Sequence, residues 1–151
     1  MKKLLISISL TFPLSVLSQL IPLSKWDEPN RKWQADISEV AYISTRCASN
    51  FDLVGNYFVE KGTNDQQRSN GKTYTQYANK YMSVSLKTSK ISNMDEKAIL
   101  DRYKSFLDIY LAQVAENKRI HNNIFMGIFL DDFDFCGKHY PFIQEIDKTL
   151  N

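Results

Sequence analysis

Apolar residues recur at intervals of three and four along most of the chain, which is the period of an amphipathic α-helix. The first such run extends from Trp33 to Phe58 and carries Cys47 on its apolar side. The polar stretch over residues 61–71 holds two glycines and no apolar anchor, so it predicts a surface loop. A second amphipathic run follows over residues 72–90. The pattern therefore begins with two helices joined by a loop.

A third helix is predicted to begin at Asn93, because the tetrad NMDE supplies an N-cap residue with Glu96 three positions later. Its apolar stripe falters over residues 116–123, ENKRIHNN, and resumes at Ile124. Two interpretations stay open at this point. Either one long helix is kinked over the polar stretch, or two helices meet there.

The stretch FLDDFDFCGKHY, residues 129–140, continues the apolar spacing as far as Cys136. Gly137 follows at once and predicts the end of this helix, because glycine accepts the positive φ of a helix C′ position. Pro141 suits the first turn of a short final helix over residues 141–150. The predicted fold class is all-α, a compact up-and-down bundle of about four helices with a short C-terminal helix.

The first 18 residues have the layout of a secretory signal peptide. Lys2 and Lys3 precede an apolar run, residues 4–17, and the small residue Ser18 follows it. Cleavage after Ser18 leaves one domain, residues 19–151, which is predicted to be periplasmic or secreted. No second apolar run of spanning length follows, so the mature chain is predicted to have no transmembrane segment.

An uncleaved membrane anchor is the alternative for this N-terminal run. Residues 4–23 are just long enough, at about 20 residues, to cross a bilayer as a helix. Pro13 and the serines of the run weaken that span and favour cleavage.

Composition excludes two classes of protein. Residues 1–18 hold two lysines and no acid, so the remaining chain balances 17 basic residues against 17 acidic ones. Such a chain has no global positive field for nucleic acid. The content of hydrophobic residues, 43%, and of aromatic residues, 13%, also argues against a disordered chain.

The two cysteines of an exported chain predict one disulfide, between Cys47 and Cys136. The competing interpretation is a reactive Cys136 thiol that a neighbour such as His139 activates. That chemistry requires a free thiol, and a disulfide excludes it.

The aspartates near Cys136 supply the only cluster of titratable residues dense enough for acid and base catalysis. The candidate catalytic residues are Asp132, His139 and Glu145. The alternative is structural: His139 lies in a solvated turn, and the aspartates cover a polar helix face.

Metal and cofactor sites are not predicted. Residues 132–137 begin like a calcium loop, but Ile143 stands where that loop needs a bidentate glutamate. His121 and His139 occur without HExxH or CxxC spacing, so zinc has no motif. No glycine-rich phosphate loop or dinucleotide motif occurs either.

The second helix carries a basic face opposite its tyrosines. Four lysines fall within an arc of about 80° on a helical wheel: Lys72, Lys80, Lys87 and Lys90. We call them the four-lysine face. They predict a surface for an anionic partner, unless acidic residues elsewhere in the fold satisfy them.

The function that these patterns favour is a non-catalytic exported protein that binds a partner, either a protein or an anionic surface. The alternative is a small exported hydrolase that uses an Asp/His pair near the end of the fourth helix.

Overall fold

The computed structural model describes residues 20–28 and 32–150. Two short 3₁₀ helices precede four long α-helices, and the described residues contain no strand. The 3₁₀ helices are Leu23–Asp27 and Trp33–Ala35, and the α-helices are α1 (Ile37–Lys61), α2 (Asp65–Ile91), α3 (Glu96–His121) and α4 (Gly127–Thr149). The prediction of an all-α bundle is confirmed.

The disulfide between Cys47 and Cys136 is present, as predicted, and joins α1 to the middle of α4. The two Cα atoms are 5.6 Å apart, and both side chains are fully buried. Tyr81 of α2 donates a hydrogen bond of 2.6 Å to the Cys136 carbonyl. The disulfide therefore lies in the core, where three helices meet.

The predicted loop over residues 61–71 is wrong, because α2 begins at Asp65. The side chain of Asn64 caps this helix by accepting the Gln67 N–H at 2.9 Å. The polar residues on the first turns of α2 are mostly exposed, so this part of the sequence shows no apolar periodicity. Local polarity predicted a loop where a capped helix begins.

Tertiary packing also supports the early start of α2. A Cβ placed on Gly71 would lie 2.7 Å from the Val59 nitrogen and 2.8 Å from the Gly55 carbonyl oxygen. The α1 and α2 backbones thus touch directly, and only glycine leaves room for this approach.

Two predicted helix starts are displaced. Trp33 lies in a 3₁₀ helix, and α1 begins four residues later, where Asp36 accepts the Ser38 N–H at 2.8 Å. The predicted cap Asn93 adopts a left-handed φ of 53°, and Asp95 caps α3 instead. In both cases an aspartate nearer the regular helix supplies the cap.

The polar stretch over residues 116–123 separates two helices. The helix α3 runs through most of it to His121, and Asn122 ends it with a left-handed φ of 53°. Of the two interpretations, the meeting of two helices is therefore the one observed.

Gly137 does not end a helix, and the separate C-terminal helix is wrong. The helix α4 continues through Gly137 and Pro141 to Thr149. Its buried residues Cys136 and Ile143 lie on either side of Gly137, two turns apart on one face. Pro141 lacks the N–H that would bond the Gly137 carbonyl, but both residues are exposed to water. Continuous burial of the apolar face outweighs this one lost hydrogen bond.

The predicted signal peptide, residues 1–18, lies outside the described residues. Within the described part of the chain, none of the helices is long and apolar enough to cross a membrane.

Two glycine-to-alanine variants test the continuity of α4 at Gly137 and the close contact of α1 and α2 at Gly71. Gly137→Ala is expected to stabilise the protein by about 0.5–1 kcal/mol, because alanine is the better residue inside a helix and the site is open. Gly71→Ala is expected to destabilise it by about 1–3 kcal/mol through overpacking. Urea unfolding monitored by circular dichroism measures both changes. Destabilisation by Gly137→Ala would restore the predicted helix end.

Candidate functional site

Asp132, the first catalytic candidate, is a fully buried residue that joins three helices. Its carboxylate accepts hydrogen bonds from Arg46 of α1, with Nε at 2.7 Å from Oδ2 and Nη2 at 2.9 Å from Oδ1. The hydroxyl of Tyr110 of α3 donates to Oδ2, and the Leu23 N–H donates to Oδ1 at 2.9 Å. Both carboxylate oxygens are therefore occupied.

The charges of this cluster are fixed by their mutual contacts. Burial raises the pKa of Asp132, and the positive charge of Arg46 and the Tyr110 hydrogen bond oppose that rise. Burial disfavours the charged guanidinium, but Tyr110 and Asp132 outweigh it and raise the pKa of Arg46. Burial also raises the pKa of Tyr110 well above its usual value. The cluster is a buried ion pair in which each charged group has the other as its direct partner.

The same cluster holds the first described residues of the chain. Arg46 Nη1 donates to the Ile21 carbonyl at 2.9 Å, and the Ser24 N–H donates to Asp131 at 3.1 Å. Leu23 is fully buried. The role of Asp132 is thus to fasten this segment, residues 20–24, against α1 and α4.

His139, the second candidate, lies apart from Asp132 and beside Asp27. Its Nε2 is 2.8 Å from the Asp27 carboxylate, without the alignment of a hydrogen bond. The ring packs against Trp33 and Phe135, with centroids 5.2 and 4.4 Å away. Burial raises the pKa of Asp27, but the contacts with Lys138 and His139 lower it by more, so the pKa lies below its usual value. His139 is a half-buried member of the aromatic core rather than a residue of a solvated turn.

Glu145, the third candidate, is exposed and pairs with Lys148 at 2.8 Å. Along α4, Asp132 and His139 are about 10 Å apart and Asp132 and Glu145 about 20 Å, taking 1.5 Å per residue. The structure therefore does not bring the three candidates together. Among the residues it describes, no group of three or more His, Cys, Asp or Glu side chains could hold a metal ion.

The four-lysine face has a partner inside the protein. Lys80 and Lys87 each lie 2.6 Å from the carboxylate of Asp147 on α4. Their hydrogen bonds lower the pKa of Asp147 to about 2. Lys72 and Lys90 are exposed. Half of the face is thus used to bind α2 to α4, which favours the intramolecular alternative.

A pocket that the sequence did not reveal lies at the end of the bundle where the α1–α2 and α3–α4 loops meet. Its volume is about 290 Å³. We call it the lysine–aromatic pocket. It is lined by Tyr57, Phe58, Lys61, Lys118, Asn123 and Phe125, together with neighbouring polar residues.

Hydrogen bonds hold the α3–α4 wall of this pocket. The Asn117 amide donates to the Ile124 and Met126 carbonyls at 3.4 and 3.2 Å. The Asn123 side chain accepts the Phe125 N–H at 3.0 Å. The Phe125 ring stacks on Phe58 of α1, with centroids 5.8 Å apart. The pocket is therefore formed by the fold itself.

The sequence carried one sign of this pocket. The apolar stripe of α3 stops at ENKRIHNN, and the pocket uses Lys118 and the two following asparagines from this stretch. The break in the apolar stripe indicates where α3 ends. It does not show that Tyr57 and Lys61 of α1 line the same pocket as this stretch.

Comparisons of the chain with protein-family models, with curated proteins and with solved structures find no match.

The buried ion pair predicts a specific pattern of stability. Arg46→Met or Asp132→Leu alone is expected to cost about 3–5 kcal/mol, because either change leaves one buried charge unpaired. The double variant is expected to cost clearly less than the sum of the two, since no charge remains. Urea unfolding of the four proteins gives the coupling energy. Additive costs would show that the pair does not act as a unit.

Asp147 predicts a loss of stability in acid. Its pKa is lowered to about 2 in the folded protein, so its contribution is complete above the unfolded value of about 4 and is lost as the pH falls through about 2. Asp147→Asn is expected to flatten this part of the curve of unfolding free energy against pH. Replacing Lys80 and Lys87 together by Gln should flatten it equally. An unchanged slope in both variants would contradict this assignment.

Proposed function

We propose that this protein is an exported, non-catalytic binding protein. The observation that carries the proposal is the structural use of Asp132. Arg46, Tyr110 and the Leu23 N–H occupy both of its carboxylate oxygens. The residue at the centre of the densest titratable cluster thus has no free lone pair directed at a substrate.

Export is supported by the layout of the N-terminal residues. Residues 1–18 have the charge, apolar run and small terminal residue of a signal peptide. Leu20, the second residue after the proposed cleavage site, packs against the core cluster that contains Val54 and Phe129. A buried disulfide suits an oxidising compartment, such as a periplasm or the cell exterior.

The alternative, a small exported hydrolase, keeps one feature in its favour. Asp27 lies beside His139, as a carboxylate that orients an imidazole would. Among the described residues, however, no Ser, Thr or Cys side chain is hydrogen-bonded to His139. Within residues 20–28 and 32–150, the Asp27–His139 pair therefore has no hydrogen-bonded nucleophile.

Intact mass and native mass spectrometry test the proposal together. The exported protein, isolated with an alkylating reagent and without reductant, is expected to start at Gln19 and to carry no alkylated cysteine. Incubation with a small-molecule extract of the culture is expected to leave a retained molecule whose mass does not change with time.

The opposite outcomes are equally clear. A mass that includes residues 1–18 would contradict cleavage. A bound molecule that is converted with time, and is no longer converted by a His139→Gln variant of unchanged melting temperature, would establish the hydrolase instead.

A further inference from the structure

We propose that the lysine–aromatic pocket binds a small organic anion that carries a flat ring. This inference rests on the proposed binding function and names the class of ligand and the site. Three features of the pocket support it: the two lysines of its lining, its aromatic residues, and the hydrogen bonds that hold its two loops.

The charge of the pocket is one-signed. Lys61 and Lys118 line it, and no Asp or Glu is among its lining residues. Among the residues that the structure describes, Lys118 Nζ donates to the neutral side-chain oxygen of Asn122, at 2.6 Å, and to no carboxylate. In the described part of the chain, Lys61 has no ion-pair partner of its own. Two lysines therefore line one cavity that has no carboxylate in its lining.

Two acids on the helices next to the pocket are paired with other cations. Glu116 pairs with Arg119 at 2.6 Å, and Asp65 pairs with Arg68 at 2.6 Å. Neither acid lines the pocket. This differs from the four-lysine face, where Asp147 binds Lys80 and Lys87. Of the two clusters of lysine, the pocket is the one in which no described acid forms an ion pair with a lysine.

The aromatic lining of the pocket favours a ring. Tyr57 is 40% exposed, and its ring meets Phe58 edge to face at 5.7 Å. Phe125 continues this aromatic wall. Aromatic side chains gain energy from stacked or edge-to-face contact with a second ring. An inorganic anion would leave this wall in water and would use only the lysines.

The walls of the pocket are fixed before any ligand arrives. Asn117 holds the α3–α4 loop through two carbonyls, and the α1–α2 loop is held by Arg68, which donates to the Gly62 carbonyl at 2.8 Å. A preformed site avoids the entropic cost of ordering its walls on binding. At about 290 Å³, the cavity is near the lower limit of ligand sites, which restricts the ligand to a small molecule.

Amide NMR spectra of the isotopically labelled exported protein test the inference with benzoate as the probe. Benzoate is expected to bind with a dissociation constant on the order of 1 mM, as suits a ligand of few atoms. Shifts are expected at residues of the pocket. Benzamide lacks the charge and acetate lacks the ring, so each is expected to bind at least about fivefold more weakly.

Two matched double variants locate the site. Replacing Lys61 and Lys118 by Gln is expected to weaken benzoate binding about tenfold. Replacing Lys72 and Lys90 by Gln removes the same charge from exposed positions on α2 outside the pocket lining, and is expected to change the constant less than about twofold. Tyr57→Ala is expected to remove the preference for benzoate over acetate. Unchanged amide spectra away from the pocket verify that each variant is folded.

Several results would overturn the inference. One is the absence of chemical shift changes at the pocket at about 20 mM benzoate, which is about twentyfold above the expected dissociation constant. Another is equal binding of benzamide and benzoate. A third is equal weakening of benzoate binding by the two double variants. Chemical shift changes confined to another surface would also exclude the pocket as the benzoate site, but they would be compatible with a binding function. Conversion of a bound molecule by the protein would contradict the non-catalytic function without bearing on the site.

Discussion

The buried ion pair between Arg46 and Asp132 holds three of the four long helices together. A guanidinium and a carboxylate that are almost fully removed from water are stable only if each keeps the other as a partner. This requirement fixes α1 against α4, while Tyr110 brings in α3. The disulfide adds to it at the same level, because Cys47 follows Arg46 directly and Cys136 lies one turn after Asp132. A covalent and an ionic link thus hold the same two helices in one register.

Sequence periodicity was sufficient for the fold class, because the fold class depends on which residues face inward, and the presence of two cysteines was sufficient for the disulfide. It was insufficient for the ion pair. Arg46 reads as a solvated residue of a helix, and its partner stands 86 positions away. Asp132 was selected as a catalytic candidate because acids are dense around it. Only the positions of Arg46 and Tyr110 turn that carboxylate into a structural group.

The errors in helix boundaries have a common physical cause. Residues 61–71 are polar, but a cap at Asn64 and the contact of Gly71 with Gly55 extend α2 into them. Gly137 is a helix breaker by type, yet the buried face of α4 continues past it. In each case, packing between distant segments outweighed a local preference. The lysine–aromatic pocket was missed for the same reason, since its walls come from both loops at one end of the bundle.

The docked segment at residues 20–24 gives the folding of this protein a definite order in time. The Leu23 N–H finds its acceptor on Asp132, which follows it by 109 residues. At a synthesis rate of about 5–20 residues per second, the start of the domain waits about 5–20 s for its partner to exist. The part of the core that contains this contact is therefore complete only after α4 has been synthesised, so the two ends of the domain close it together.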